Sequence, residues 1–128
     1  MPHFIIDCSD NIITKISPND IMKAVYDTAK ASGLFASGDI KVRLRPFQYY
    51  KLADTRENFI HIFEYIMEGR TTEQKANLSN QIISKLKDIL RHVSFLSMNL
   101  DEFEKATYCN LALINPDNQY GDRHYGIQ

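Results

Sequence analysis

Pro2 stands directly behind Met1 and opens an apolar run, His3-Phe4-Ile5-Ile6. A small second residue permits removal of Met1, which would expose the proline nitrogen as a secondary amine. A terminal amine can act as a general base, although most termini are too mobile and too solvated to be used that way. A terminus tied to a buried strand escapes that objection. With Met1 retained, the same nitrogen is a tertiary amide and cannot act as a base, so the chemistry depends on processing. Two further features could act with it. Lys41, Arg43 and Arg45 alternate along a strand-like stretch and so project from one face as a short row of positive charge. Arg70 falls in Glu68-Gly69-Arg70-Thr71, where a strand ends and a helix opens, a place that favours anions. The planar guanidinium fork suits carboxylates, and the lysine ammonium less so.

Together these residues specify a mechanism. A terminal amine has a reference pKa of about 8. Nearby cations and burial both disfavour its protonated form, and a base poised near neutrality suits proton shuttling. The same cations would bind carboxylates and stabilise a developing enolate. One base could then take a proton from one atom and return it to another, which is isomerisation without a cofactor. Each feature alone also has a plainer structural reading. Pro2 can simply begin an edge strand, and Lys and Arg on a strand discourage edge aggregation. Arg70 can pair on the surface with Glu68 or Glu73.

Other chemistry is not signalled. His3, His61, His92 and His124 lack metal-ligand spacing, so no metal site is expected. There is no GxGxxG and no phosphate loop. Cys8 and Ser9 have no evident base partner. His61, in an apolar stretch, reads as a satisfied core residue, and Phe47, Tyr49 and Tyr50 read as packing or interface aromatics.

The elements that must position these groups follow from pattern. Phe4 to Cys8 reads as a short buried strand ended by Ser9-Asp10-Asn11. A helix then opens with Ser17 as cap, Pro18 in the first turn and Asp20 beside it. Ile21, Val25, Thr28 and Ala29 line one face, and Gly33 is its stop. Ile40 to Phe47 alternates as a strand, with Pro46 indicating an edge. Phe59 to Met67 is a strand apolar on both faces. Thr71 and Gln74 form a capping box for a second helix, striped by Leu78, Ile82, Leu86, Ile89 or Leu90, and Val93. A weaker strand is expected around Leu100 to Tyr108.

Strand, helix, strand thus occurs twice with a period of roughly sixty residues, read as a duplication of one β-α-β unit. The expected fold is α+β: one domain over residues 1–128, with half-repeats 2–57 and 58–114 and a polar tail 115–128. Four strands form one sheet with two helices on one face. The bare opposite face makes association into an oligomer the economical expectation.

Composition fits one domain long enough to bury a real core. The 128 residues carry a net charge of −1, with both signs interspersed, which gives no basic excess for nucleic acid or an anionic membrane. No apolar run approaches the ~20 residues of a membrane span, and no secretory start is visible. Cys8 and Cys109 read as free thiols in a reducing compartment, so a cytoplasmic location is expected.

The chain resembles the tautomerase superfamily, whose members use an amino-terminal proline, and within it the 5-carboxymethyl-2-hydroxymuconate isomerases. Pro2-His3-Phe4-Ile5, Cys8-Ser9-Asp10-Asn11-Ile12, Gly33-Leu34-Phe35, the cationic strand and Gly69-Arg70-Thr71 carry the resemblance in order. It spans about the first hundred residues. The resemblance implies a homotrimer, Pro2 as the base, and Arg70 and Arg43 as binders of substrate carboxylates. Lys41 stands where the family pattern has an arginine, which keeps the charge and loses the fork. The reaction implied is conversion of an unsaturated, multiply carboxylated dienol into its ketone in aromatic-acid catabolism. The alternatives are a keto-acid decarboxylase or hydratase on the same scaffold, and a non-catalytic oligomeric binding protein.

Overall fold

The computed structural model describes residues 1–53 and 56–114. The tail expected at 115–128 lies outside the described residues. Strand β1 (His3–Ser9) leads through a short helix α1 (Asp10–Ile13) into α2 (Pro18–Ala31) and returns as β2 (Lys41–Phe47). Strand β3 (Phe59–Met67) leads through α3 (Thr72–Ile89) into β4 (Phe95–Phe103), and a final short helix α4 spans Leu111–Ile114. The strands form one sheet in the order β2-β1-β3-β4. Each long helix connects two parallel neighbours, and β1 and β3 meet antiparallel at the centre. This is the α+β architecture expected from the pattern of elements.

Local chemistry accounts for the boundaries. The Ser17 side chain accepts from the Asn19 amide, and Pro18 supplies a first-turn residue with no amide hydrogen to satisfy. Gly33, just past the end of α2, adopts φ 74°, a conformation that costs glycine little. The Thr71 hydroxyl accepts from the Gln74 amide, and the Gln74 side chain accepts from the Thr71 amide, closing both halves of the capping box. Pro46 is tolerated because β2 is an edge strand.

Period-two alternation puts Phe4, Ile6, Cys8, Ile60, Ile62 and Ile66 on the face covered by the helices. There they pack with Ile21, Val25 and Ala29 of α2 and Leu78, Ile82 and Leu86 of α3. The other face carries His3, Ile5, Asp7, Lys41, Arg43, Arg45, His61, Phe63 and Tyr65, with no layer over it among the described residues.

Three expectations need correction. The helix opened by Thr71 ends at Ile89, so Val93, expected in its apolar stripe, lies beyond it. The last strand is Phe95–Phe103 rather than Leu100 to Tyr108, because parallel pairing with β3 sets Phe59 opposite Phe95 and Met67 opposite Phe103. His61 is not a core residue. It lies on the uncovered face, half-buried, with hydrogen bonds from its two ring nitrogens to Ser97 (2.7 Å) and Asn99 (2.6 Å).

Candidate active site

One end of the sheet collects the chemistry. Because β1 and β3 are antiparallel, the start of β1 lies beside the end of β3. Because β1–β2 and β3–β4 are parallel, the start of β2 and the end of β4 arrive there too. Pro2 is buried at this end, its carbonyl accepting from the Lys41 amide at 3.1 Å. The proline is therefore fixed by the central strand rather than fraying from it.

In the structure Met1 precedes Pro2, so the proline nitrogen is an amide. Met1 is 6% exposed, and its amine lies 3.8 Å from the Asp39 carboxylate, itself 4% exposed. The Tyr108 hydroxyl donates to the Met1 sulfur at 3.2 Å. Around it stands an aromatic wall: Phe103 lies edge-on to His3 (6.2 Å), stacked on Tyr65 (6.0 Å) and beside Tyr108 (5.8 Å). Asp39, Tyr108 and this wall carried no signal in the sequence, because strand ends far apart in the chain create them. A carboxylate at the Asp39 position stabilises an ammonium, so the terminus sits between charges of opposite sign.

The cationic row faces the uncovered side of the sheet, as alternation requires. Its members have different local partners. The Lys41 ammonium donates to the Asp39 carbonyl (2.8 Å), and Arg43 donates to the His3 ring (3.1 Å), so both lie near the terminus. Arg45 is held further along by a two-pronged ion pair with Asp7 (2.7 and 3.1 Å). It braces β2 to β1 instead of pointing at the Pro2 end.

Arg70 emerges from the β3–α3 turn at the same sheet end. Its guanidinium donates to the Leu34 carbonyl (2.7 Å), reaches the Met67 carbonyl (3.5 Å), and lies over the Phe35 ring at 4.9 Å. It pairs with neither Glu68 nor Glu73. The Glu68 carboxylate instead accepts from the Lys105 amide. A guanidinium has five N–H donors, and backbone carbonyls engage only two of these nitrogens, so the group is held in place with donors left for an anion.

On the helix-covered face lies a residue that composition and motif did not single out. Glu64 is 0% exposed, and neither carboxylate oxygen has a hydrogen-bond partner among the described residues. Burial pushes its carboxyl up to about 8, opposed by the positive charge of Arg70. Burial in turn lowers Arg70, opposed by Glu64 and then Glu102. The signal was available: Ile60, Ile62, Glu64 and Ile66 share one period-two face, and an acid in that series is placed in the core.

Cys8 is excluded as a nucleophile. Burial, with Asp7 and Asp10 adding to it, pushes its thiol up to about 11, far from a reactive thiolate. Cys109 is exposed and both cysteines are free. A separate cleft of about 310 Å³, lined in part by Asn11, Lys15, Asn58, Arg91 and His92, opens at the opposite end of the sheet. Among the described residues no cluster has the make-up of a metal site, and no helix is long and apolar enough to cross a membrane.

Comparison with known proteins bears on this geometry. The family model for 5-carboxymethyl-2-hydroxymuconate isomerase matches residues 2–116, beginning at Pro2. A 5-carboxymethyl-2-hydroxymuconate Delta-isomerase from Escherichia coli is 28% identical over 89 residues, covering 68% of this chain and 71% of that protein. The crystal structure of a 5-carboxymethyl-2-hydroxymuconate isomerase from Deinococcus radiodurans R1 superposes with a TM-score of 0.73 at 25% identity, covering 84% of this chain and 87% of that one. The fold also matches a fused 4-OT wild-type symmetric trimer, with a TM-score of 0.59 at 18% identity over 83% of this chain and 91% of that one.

Proposed function

Because the chain belongs to the 5-carboxymethyl-2-hydroxymuconate isomerase family, we propose that it tautomerises an unsaturated 2-hydroxy acid carrying more than one carboxylate, with Pro2 as the base. Removal of Met1 frees the proline nitrogen and vacates the space beside Asp39 and Tyr108 that Met1 fills. The Pro2 nitrogen then takes the proton from the enol hydroxyl and a proton is returned to the far carbon of the diene, leaving the ketone. The base ends as it began, and no cofactor enters. Arg70 and Arg43, with Lys41 in support, hold the carboxylates and stabilise the dienolate.

The observation that carries this reading is the fixed position of Pro2 at the one sheet end where Lys41, Arg43 and Arg70 also arrive. The uncovered sheet face fits assembly as a homotrimer, the state of the fused 4-OT neighbour. A cytoplasmic location, a small carboxylate as the partner, and two half-repeats (2–57 and 58–114) within one domain complete the proposal.

Intact mass of protein from its native host, taken with activity on a 2-hydroxymuconate-type dienol, tests it. The expected result is loss of one methionine and ketone formation that depends on that loss. A retained Met1 in active protein overturns Pro2 as the base.

A further inference from the structure

Glu64 has no part in the proton transfer assigned to Pro2, yet it is a fully buried acid whose carboxylate oxygens have no hydrogen-bond partner among the described residues. A glutamate in the apolar core needs a compensating interaction. The charges on the elements around it are few. On β1 its register partner is Phe4, and on β4 it is Leu100. Glu102, further along β4, is bonded to Lys75 of α3 at 3.0 Å. The Met1 amine and Asp39 pair at the start of β1. The residues buried from α2 and α3 (Ile21, Val25, Leu78, Ile82) are apolar. Phe4 lies edge-on to Phe35 (6.4 Å), and the Arg70 guanidinium covers the Phe35 ring at 4.9 Å, so Arg70 is the cation that reaches toward Glu64 among the described residues, and it keeps donors for an anion.

We propose that Glu64 is a positioning residue that competes with the substrate carboxylate for Arg70, so that binding of a dicarboxylate is coupled to uptake of one proton from solvent by Glu64. This inference rests on Arg70 being a carboxylate binder. Ionised Glu64 is stabilised by Arg70 and offsets its charge from the core side. A bound carboxylate neutralises Arg70 from the solvent side, withdraws that support, and returns Glu64 to the neutral acid. Glu64 then holds its proton more tightly in the complex than in the free protein, so affinity is highest below about pH 8 and falls as pH rises through that value.

The test is binding of adipate, an unreactive dicarboxylate, measured by calorimetry from pH 6.5 to 9.5 in buffers of different ionisation enthalpy. In the wild type, affinity should fall about tenfold for each unit by which the complex raises the Glu64 midpoint, with net proton uptake near pH 8. In Glu64→Gln, which keeps shape and removes the titration, affinity at pH 6.5 should match the wild type. At pH 9 it should exceed the wild type by about the same factor, with the proton uptake lost. Carbon NMR of the Glu64 carboxyl should show its midpoint moving up on saturation with adipate, a readout that needs no variant. A Glu64→Gln profile as steep as the wild type, or a midpoint that does not move, overturns the coupling. Arg70→Ala separates the two layers. Strongly weakened adipate binding in that variant, beside an unchanged Glu64→Gln profile, defeats this inference alone. Unimpaired binding in Arg70→Ala defeats the carboxylate-binding role of Arg70 and the inference with it.

Discussion

Pro2 and Glu64 each act through the difference between one environment and another. Pro2→Ala, with Met1 still removed, replaces a ring-fixed secondary amine with a primary amine of greater freedom. Turnover should fall by more than about tenfold, since well-placed acid–base groups contribute at least that much. Steady-state kinetics close to wild type would remove Pro2 from the reaction. Glu64 makes an opposite kind of prediction, on stability. Its carboxyl lies near 8 in the fold against 4.5 for the ordinary group. Between those values the unfolded chain has released a proton that the folded chain still holds. The penalty of the buried acid therefore grows as pH rises from about 4.5 to about 8 and levels off above. At about 1.4 kcal/mol per pH unit, the gap corresponds to roughly 5 kcal/mol. Glu64→Leu should stabilise the fold by roughly that amount at pH 8 and by much less at pH 5. Urea titrations giving the same gain at both pH values would show that the acid does not titrate in the core. A residue that costs stability where leucine would serve is the pattern expected when function holds it there.

At the scale of elements, α3 is the one that matters most for the site, because its first turn fixes the loop carrying Arg70. Thr71→Ala breaks the capping box and should cost about 1 kcal/mol. Part of that loss should appear as weaker carboxylate binding, since Arg70 directly precedes the cap. Thermal unfolding indistinguishable from wild type would mean that the cap adds nothing. The start of α3 was legible because capping is a local code: Thr71 and Gln74 report on their own turn, while the apolar stripe was carried on to Val93, beyond the helix end at Ile89. Strand β4 was misplaced for the converse reason. Its side chains Leu96, Met98 and Leu100 are only partly buried, and the register that sets its ends belongs to the pairing with β3. Likewise α1, a single turn after Ser9, has too few residues to leave a periodic trace.

For the whole molecule, the assembly proposed above rests on the unequal faces of the sheet. Both long helices cover one face, and the other presents aromatic, apolar and charged side chains together, including Phe63, Tyr65 and the Asp7–Arg45 pair. A face of this kind calls for a partner surface. Light scattering of the purified protein should give the mass of three chains. A stable monomer at working concentrations would overturn the assembly and the role proposed for that face. Exposed Tyr49 (90%), with Phe47 and Tyr50 packed around Phe59, adds an aromatic patch at the sheet edge that the same assembly can use.

The sequence by itself determined the order of the four strands and both long helices, the edge placement of β2, and the face on which Lys41, Arg43 and Arg45 lie. These depend on caps, glycine at positive φ, proline and residue alternation, which act over a few positions. Only the tertiary structure decided that Arg45 is spent on Asp7, that Arg70 is held by the Leu34 and Met67 carbonyls and Phe35, that Asp39 and Tyr108 surround the terminus, and that the charge of Arg70 acts on the buried Glu64. Those facts depend on strand ends brought together from opposite halves of the chain. No local pattern encodes such contacts, because parallel and antiparallel pairing create them only when the sheet closes.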